Sequence, residues 1–159
     1  MATFEEAFDV VSNTLRFPSS NAQQKTGIRE IVEERKDVFV NLPTGFGKSL
    51  LYQEQPLVFD LTSQEPGHIV VVVSPLISLM EDQVSHLQEL VLKAANISSL
   101  EDVERTRVES SEYSLDYKSP EAWLKNERWI FMVTNSVYSK NPLCHCSRCS
   151  ACCKTVVSL

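Results

Sequence analysis

Residues 42–53, LPTGFGKSLLYQ, set two glycines, a lysine and a serine between an apolar run and the start of a helical stretch. A phosphate group needs several donors converging at short range. Gly45 and Gly47 let the backbone curl so that successive N–H groups point inward, and a following helix adds the positive end of its dipole. Lys48 would reach the β- and γ-phosphates, and Ser49 would ligate Mg²⁺. Thr44, Gly45, Phe46, Gly47, Lys48 and Ser49 are therefore the candidate nucleotide-binding residues. The general pattern places Gly or Ala six residues before the lysine, where this chain has Leu42, so only the last part of the motif matches. The plainer reading is a glycine loop with an exposed lysine; the strand before it and the helix after it favour a nucleotide.

Two further stretches offer anion-binding backbone. In VVVVSPLISLMEDQV a strand ends at Ser74 and a helix starts at or just after Pro75. The Ser74 hydroxyl and the first N–H groups of the helix could bind a sugar-phosphate strand lying there, although Ser-Pro also makes an ordinary N-cap. In YKSPEAW, Ser119, Pro120 and Glu121 repeat the arrangement. Three such turns at one sheet edge suit an extended anionic ligand better than a small metabolite.

The elements that must position these groups follow from periodicity. Thr3 with Glu6 forms a capping box, and Phe4, Ala7, Phe8, Val11 and Leu15 recur at helical spacing. Ile28, Ile31 and Val32 line a second helix over about 22–35. DVFVNL (37–42) is predicted as a short buried strand, and a helix runs from about Lys48 until Pro56 disturbs it. HIVVVVS (68–74) is β-branched without alternation, as befits a strand covered on both faces. Leu76, Met80, Val84, Leu87 and Val91 mark a long amphipathic helix. AANIS (94–98) and YSLDY (113–117) are predicted strands, 100–112 a charged helix plus loop, and a last helix would bury Trp123, Ile130, Val133 and Val137. Alternating strands and helices predict a parallel sheet with helices on both faces, whose ligands collect at the carboxyl ends of the strands. The three candidate turns all fall there.

Composition narrows the function classes. The chain has 159 residues, 43% apolar and 23% charged, enough for one domain with a real core. A net charge of −6 argues against a generally basic nucleic-acid surface, so contacts with nucleic acid would be local and made largely by backbone. The start, MATFEEAFDVV, has neither the basic n-region nor the apolar core of a signal peptide, and the run IVVVV is too short to span a bilayer. An intracellular protein is expected. All five cysteines lie between Cys144 and Cys153, which is not the distribution of a disulfide framework.

LPTGFGKSLLYQ followed by VVVSPLISLMEDQV resembles motifs I and Ia of RecQ-like DNA helicases of superfamily 2, and YSLDYKSPEAW is similar to the family's next motif. The resemblance covers about residues 15–138. It implies an α/β fold, a partial RecA-like parallel sheet with flanking helices of the P-loop NTPase type. It also implies a nuclear 3′–5′ ATP-dependent motor acting on single-stranded or partly duplex DNA, in DNA repair and recombination. ATP and Mg²⁺ would bind at Thr44 to Ser49, and DNA at Ser74, Pro75, Leu76, Ser119 and Glu121. The family also reads adenine with a glutamine upstream of motif I; Gln24 is the candidate here, with Gln23 next.

What such a motor needs beyond this is a DExH acid pair. Its Asp holds Mg²⁺ through water and its Glu polarises the attacking water. No DExH occurs in the 159 residues; MEDQ (80–83) lies inside the motif Ia helix. Where the DExH strand is due, after Lys140, the chain runs NPLCHCSRCSACCKTVVSL. Residues 1–140 are expected to form a truncated helicase ATP-binding domain. Residues 141–159 are expected to be a divergent, disordered Cys-rich tail of the kind a shifted frame or alternative exon produces. Cys144, Cys146, Cys149 and Cys152 supply four thiolates, the number Zn²⁺ takes, but structural zinc sites join two separated ligand pairs and this cluster is nearly continuous, so zinc is not expected. The rival readings are a non-catalytic DNA- or partner-binding module with a zinc-bearing tail, and a small P-loop kinase-like enzyme, which lacks an obvious catalytic acid and an arginine-rich lid.

Overall fold

The computed structural model describes residues 2–17, 21–43, 45–64, 66–90, 92–96, 113–125, 142–146 and 155–157, the last two segments and 123–125 as backbone. Helix α1 (Phe4–Thr14) opens with the predicted capping box: the Thr3 side chain accepts from the Glu6 N–H, and the Glu6 carboxylate accepts from the Thr3 N–H at 2.9 Å. Helix α2 (Ala22–Val32) has a second box, Asn21 with Gln24. Phe4, Ala7, Phe8 and Val11 from α1 and Ile28, Ile31 and Val32 from α2 enter one core. Glu5 bridges both Lys25 and Arg29 across the two helices.

Strand β1 (Val38–Val40) leads into the glycine loop, then α3 (Leu50–Gln53) and α4 (Gln55–Ser63). The helix predicted to fail at Pro56 continues past it to Ser63. The interruption is confined to Glu54, because Pro56 has no N–H for the Tyr52 carbonyl one turn back. Strand β2 (Ile69–Val73) is buried at every residue, as its unalternated valines require. Helix α5 (Ile77–Glu89), β3 (Ala94–Asn96), β4 (Leu115–Lys118) and α6 (Pro120–Lys125) follow. Met80 and Leu87 of α5 are buried, but Leu76 is not part of that face; it is 54% exposed. The predicted helix over 100–112, the apolar face from Ile130 to Val137, Val91 and the Trp123 side chain lie outside the described residues.

Two short stretches of the Cys-rich segment 141–159 are among the described residues. Pro142–Cys146 forms β5 and Thr155–Val157 forms β6. Among the described residues the sheet has six strands in the order β1-β6-β5-β2-β4-β3, with every pairing parallel. The physical reason is the gap. β1 and β2 are not neighbours, and two strands must stand between them for their backbone groups to be paired. Leu143 pairs opposite Val70, and Val156 opposite Phe39. Pro142 sits at the first residue of β5, where a strand tolerates the missing donor. β1, predicted as buried, is an edge strand with Phe39 70% exposed. Its burial is limited because only one flank is paired.

Candidate functional site

The sheet is parallel throughout, so the segments leaving β1, β2 and β4 emerge at one edge. The first is the glycine loop. Gly45 and Gly47 both have positive φ, +87° and +70°, a conformation that L side chains rarely adopt. A Cβ on Gly47 would come within 2.5 Å of the Gln24 amide nitrogen, whereas one on Gly45 would meet nothing within 4 Å. Lys48 Nζ donates to the Leu42 carbonyl at 2.9 Å, which folds the side chain back across the base of the loop. That bond uses one of the ammonium's three donors. Phe46 is 54% exposed on the outside of the loop. Thr44 lies outside the described residues.

Gln24 is the residue that ties α2 to this loop. Its side chain is buried; Nε2 donates to the carbonyls of Phe46 at 2.7 Å and Gly47 at 3.0 Å, while Oε1 accepts from the Asn21 N–H at 2.7 Å. Gln23, the second candidate, is exposed. The Asn21–Gln24 capping box holds the Oε1 end of the same side chain.

The second and third segments are brought together by the β2–β4 ladder, in which Val73 pairs with Lys118. The Ser74 N–H donates to the Lys118 carbonyl at 3.0 Å, placing Ser74–Leu76 beside Ser119–Glu121. Both serines are buried and their hydroxyls serve local turns. Ser74 Oγ accepts from the Leu76 N–H at 3.3 Å, and Ser119 Oγ from the Ala122 N–H at 3.2 Å. Exposed at this edge are Pro75, Leu76, Ile77 and Glu121. The surface at the two turns is thus apolar, with a carboxylate from Glu121, and not a cluster of cations.

Between loop and turns lies a contact that motif reasoning missed. Tyr52 of α3 is buried; its hydroxyl donates to Gln83 Oε1 of α5 at 2.7 Å. Its ring meets that of Tyr117 on β4 edge-on, with centroids 6.3 Å apart. Burial pushes both phenols above their ordinary range. The signal available in the sequence was a tyrosine one helical turn after Ser49.

Cys144 and Cys146 lie in β5; Cys149 and Cys152 are outside the described residues. Among the described residues no group of three or more His, Cys, Asp or Glu side chains could hold a metal.

Comparison with known proteins decides the family. The DEAD/DEAH box helicase family model matches residues 21–138. The chain belongs to the DEAD/DEAH box helicases. Within that family it is RecQ-like. It is 34% identical over 134 residues to the ATP-dependent DNA helicase Q1 of Mus musculus, covering 80% of this chain and 19% of that protein. It is 39% identical over 103 residues to the ATP-dependent DNA helicase RecQ of Bacillus subtilis, covering 62% of this chain and 16% of that protein. It is 43% identical over 76 residues to the ATP-dependent DNA helicase Q5 of Rattus norvegicus, covering 48% and 7%. The chain thus spans about a fifth or less of the length of these relatives. The matched region contains the glycine loop and both Ser-Pro turns. No helix among the described residues is long and apolar enough to cross a membrane.

Proposed function

We propose that this chain binds ATP–Mg²⁺ at the glycine loop and DNA, single-stranded or partly duplex, along the two Ser-Pro turns, as the first-lobe segment of a nuclear 3′–5′ RecQ-like helicase acting in DNA repair and recombination. The residues present fit the nucleotide. The loop curls at Gly45 and Gly47, side-chain bulk is excluded at Gly47, and Lys48 and Ser49 offer a cation and a hydroxyl. Lys48, with two donors in hand, would hold the outer phosphates, and Ser49 would hold the metal. Gln24 is the adenine-reading candidate, its amide available at the price of the Phe46 and Gly47 carbonyl bonds. Bound Mg²⁺ would neutralise the phosphate oxygens. DNA contact would be made by backbone groups and by Leu76 and Ile77 as an apolar step, since Ser74 and Ser119 serve their own turns.

The observation that carries the reading is the common edge, where the loop and two adjacent turns follow parallel strands. The same topology supports a second part of the proposal: the 159 residues by themselves bind but do not turn over ATP. β5 stands beside β2, yet no Asp or Glu follows Glu127 anywhere in the chain, so no carboxylate leaves that strand to polarise water.

Binding of a fluorescent ATP analogue with Mg²⁺, and steady-state ATPase with single-stranded DNA, test both parts. Saturable binding that Lys48→Ala weakens by tenfold or more (about 1.4 kcal/mol or more), with no DNA-stimulated turnover, is the expected result. Absence of binding removes the nucleotide reading. DNA-stimulated turnover abolished by Lys48→Ala removes the claim that the chain only binds.

A further inference from the structure

Helix α5 leaves the first Ser-Pro turn without a side-chain cap. Its N-cap residue is Leu76, which has no polar side-chain group to offer. The face it turns inward carries Met80 and Leu87, both buried, with Gln83 half-buried between them. Apolar packing holds such a helix against the sheet but is not directional, so it sets the rotation about the helix axis only weakly. A hydrogen bond is directional. The Tyr52 hydroxyl donates one to Gln83 Oε1 at 2.7 Å, close to two turns into α5.

Tyr52 is well placed to act as a fixed point. It is 2% exposed. Its N–H donates to the Ser49 carbonyl at 3.3 Å, and those of Leu50 and Leu51 donate to the Gly47 and Lys48 carbonyls at 3.1 and 3.2 Å. Its backbone thus hangs directly from the glycine loop. Its ring meets Tyr117 edge-on at 6.3 Å, and Tyr117 is fully buried in β4, the strand that runs into the Ser119–Glu121 turn. One side chain from the loop's own helix therefore touches both elements that carry the Ser-Pro turns: α5, which follows the first, and β4, which precedes the second.

We infer that Tyr52 is a positioning residue for the DNA edge: its hydrogen bond to Gln83 fixes the rotation of α5, and so the direction in which Leu76 and Ile77 project from the start of that helix. This rests on the DNA reading above. The β2–β4 ladder sets how far along the sheet each turn stands, and the Tyr52–Gln83 bond sets the rotation that the ladder leaves open. Leu76 and Ile77 are 54% and 53% exposed, and a turn of α5 about its axis would move both.

The test is binding of a labelled single-stranded oligonucleotide to the full chain by fluorescence anisotropy, with binding of a fluorescent ATP analogue measured in parallel. Tyr52→Phe keeps the ring against Tyr117 and removes the hydroxyl; Gln83→Leu keeps the bulk and removes the acceptor. Each is expected to lower oligonucleotide affinity by about threefold or more, within the range that losing one hydrogen bond produces, while the ATP analogue binds as in wild type. Both variants break the same bond, so Tyr52→Phe should add nothing further in a Gln83→Leu background. A smaller loss of oligonucleotide affinity overturns the inference, and so does an additive loss in the double variant. A parallel loss of both ligands overturns it too, because that is what a merely structural role would give. Circular dichroism identifies a variant that has not folded, and Gln83→Leu, at a half-buried position, decides the question if Tyr52→Phe fails to fold. A wild-type chain that binds no oligonucleotide overturns the DNA part of the function proposed above, and this inference falls with it.

Discussion

At the glycine loop, Gln24 of α2 holds the Phe46 and Gly47 carbonyls from a neighbouring element. Gly47 illustrates how tightly. Its φ of +70°, and the Gln24 nitrogen that would lie 2.5 Å from an added Cβ, exclude a methyl group on two grounds. The second is soft, because an amide at the end of a flexible side chain can move. The first is not, because the left-handed conformation costs a non-glycine residue about 1–2 kcal/mol. Gly47→Ala is accordingly expected to lower stability by that amount in urea denaturation, and to weaken nucleotide binding further because the displaced Gln24 amide no longer holds the Phe46 and Gly47 carbonyls. An unchanged denaturation midpoint would show that the loop is not held in this conformation.

Helices carry their own local determinants. In α1 the Glu6 carboxylate lies below its ordinary pKa of 4.5, first because the Thr3 backbone N–H bonds to it and then because the Thr3 hydroxyl does. The sign follows from the depressed value. The capping bonds favour the ionised form, so their contribution is fully present above the unfolded pKa and is lost as pH falls through the folded one. A carboxyl NMR titration should show the Glu6 midpoint below 4.5 in wild type, moving up toward that value in Thr3→Ala, where the backbone donor remains and the hydroxyl is gone. A midpoint at the ordinary value in wild type would mean the box does not form in solution. Helix α2 uses the same device through Asn21 and Gln24, with the difference that its N3 side chain also reaches the glycine loop.

At the scale of the whole molecule, β5 and β6 decide whether there is one sheet. β1 has ladder bonds to β6 and β2 has them to β5 and β4, so without the two strands β1 shares no ladder with β2. Leu143 lies opposite Val70, a fully buried residue of β2. Leu143→Pro removes a backbone donor inside this ladder, and an unmatched buried group costs about 1–3 kcal/mol. For a chain of this size that is about 3–10 °C in melting temperature. A thermal scan showing no shift would mean that 142–157 contributes nothing to the stability of the sheet.

The glycine loop, the two Ser-Pro turns, the α1 capping box, the buried valine strand and the parallel α/β class were all legible in the residues, because each depends on local chemistry. Glycines set backbone freedom, Ser-Pro sets a turn, and unbroken valines require cover on both faces. The position of Gln24 against the Phe46 and Gly47 carbonyls, the Tyr52–Gln83 contact and the pairing of Ser74 with Lys118 were not, because each joins segments 22 to 44 residues apart. The Cys-rich stretch shows the division most clearly. Its composition marks it as unlike the rest of the chain; TVV is β-branched and favours a strand, but nothing local in PLCHC or TVV says where in a sheet either would lie. That place follows from the facing backbone flanks of β1 and β2, which the tertiary arrangement holds two strands apart.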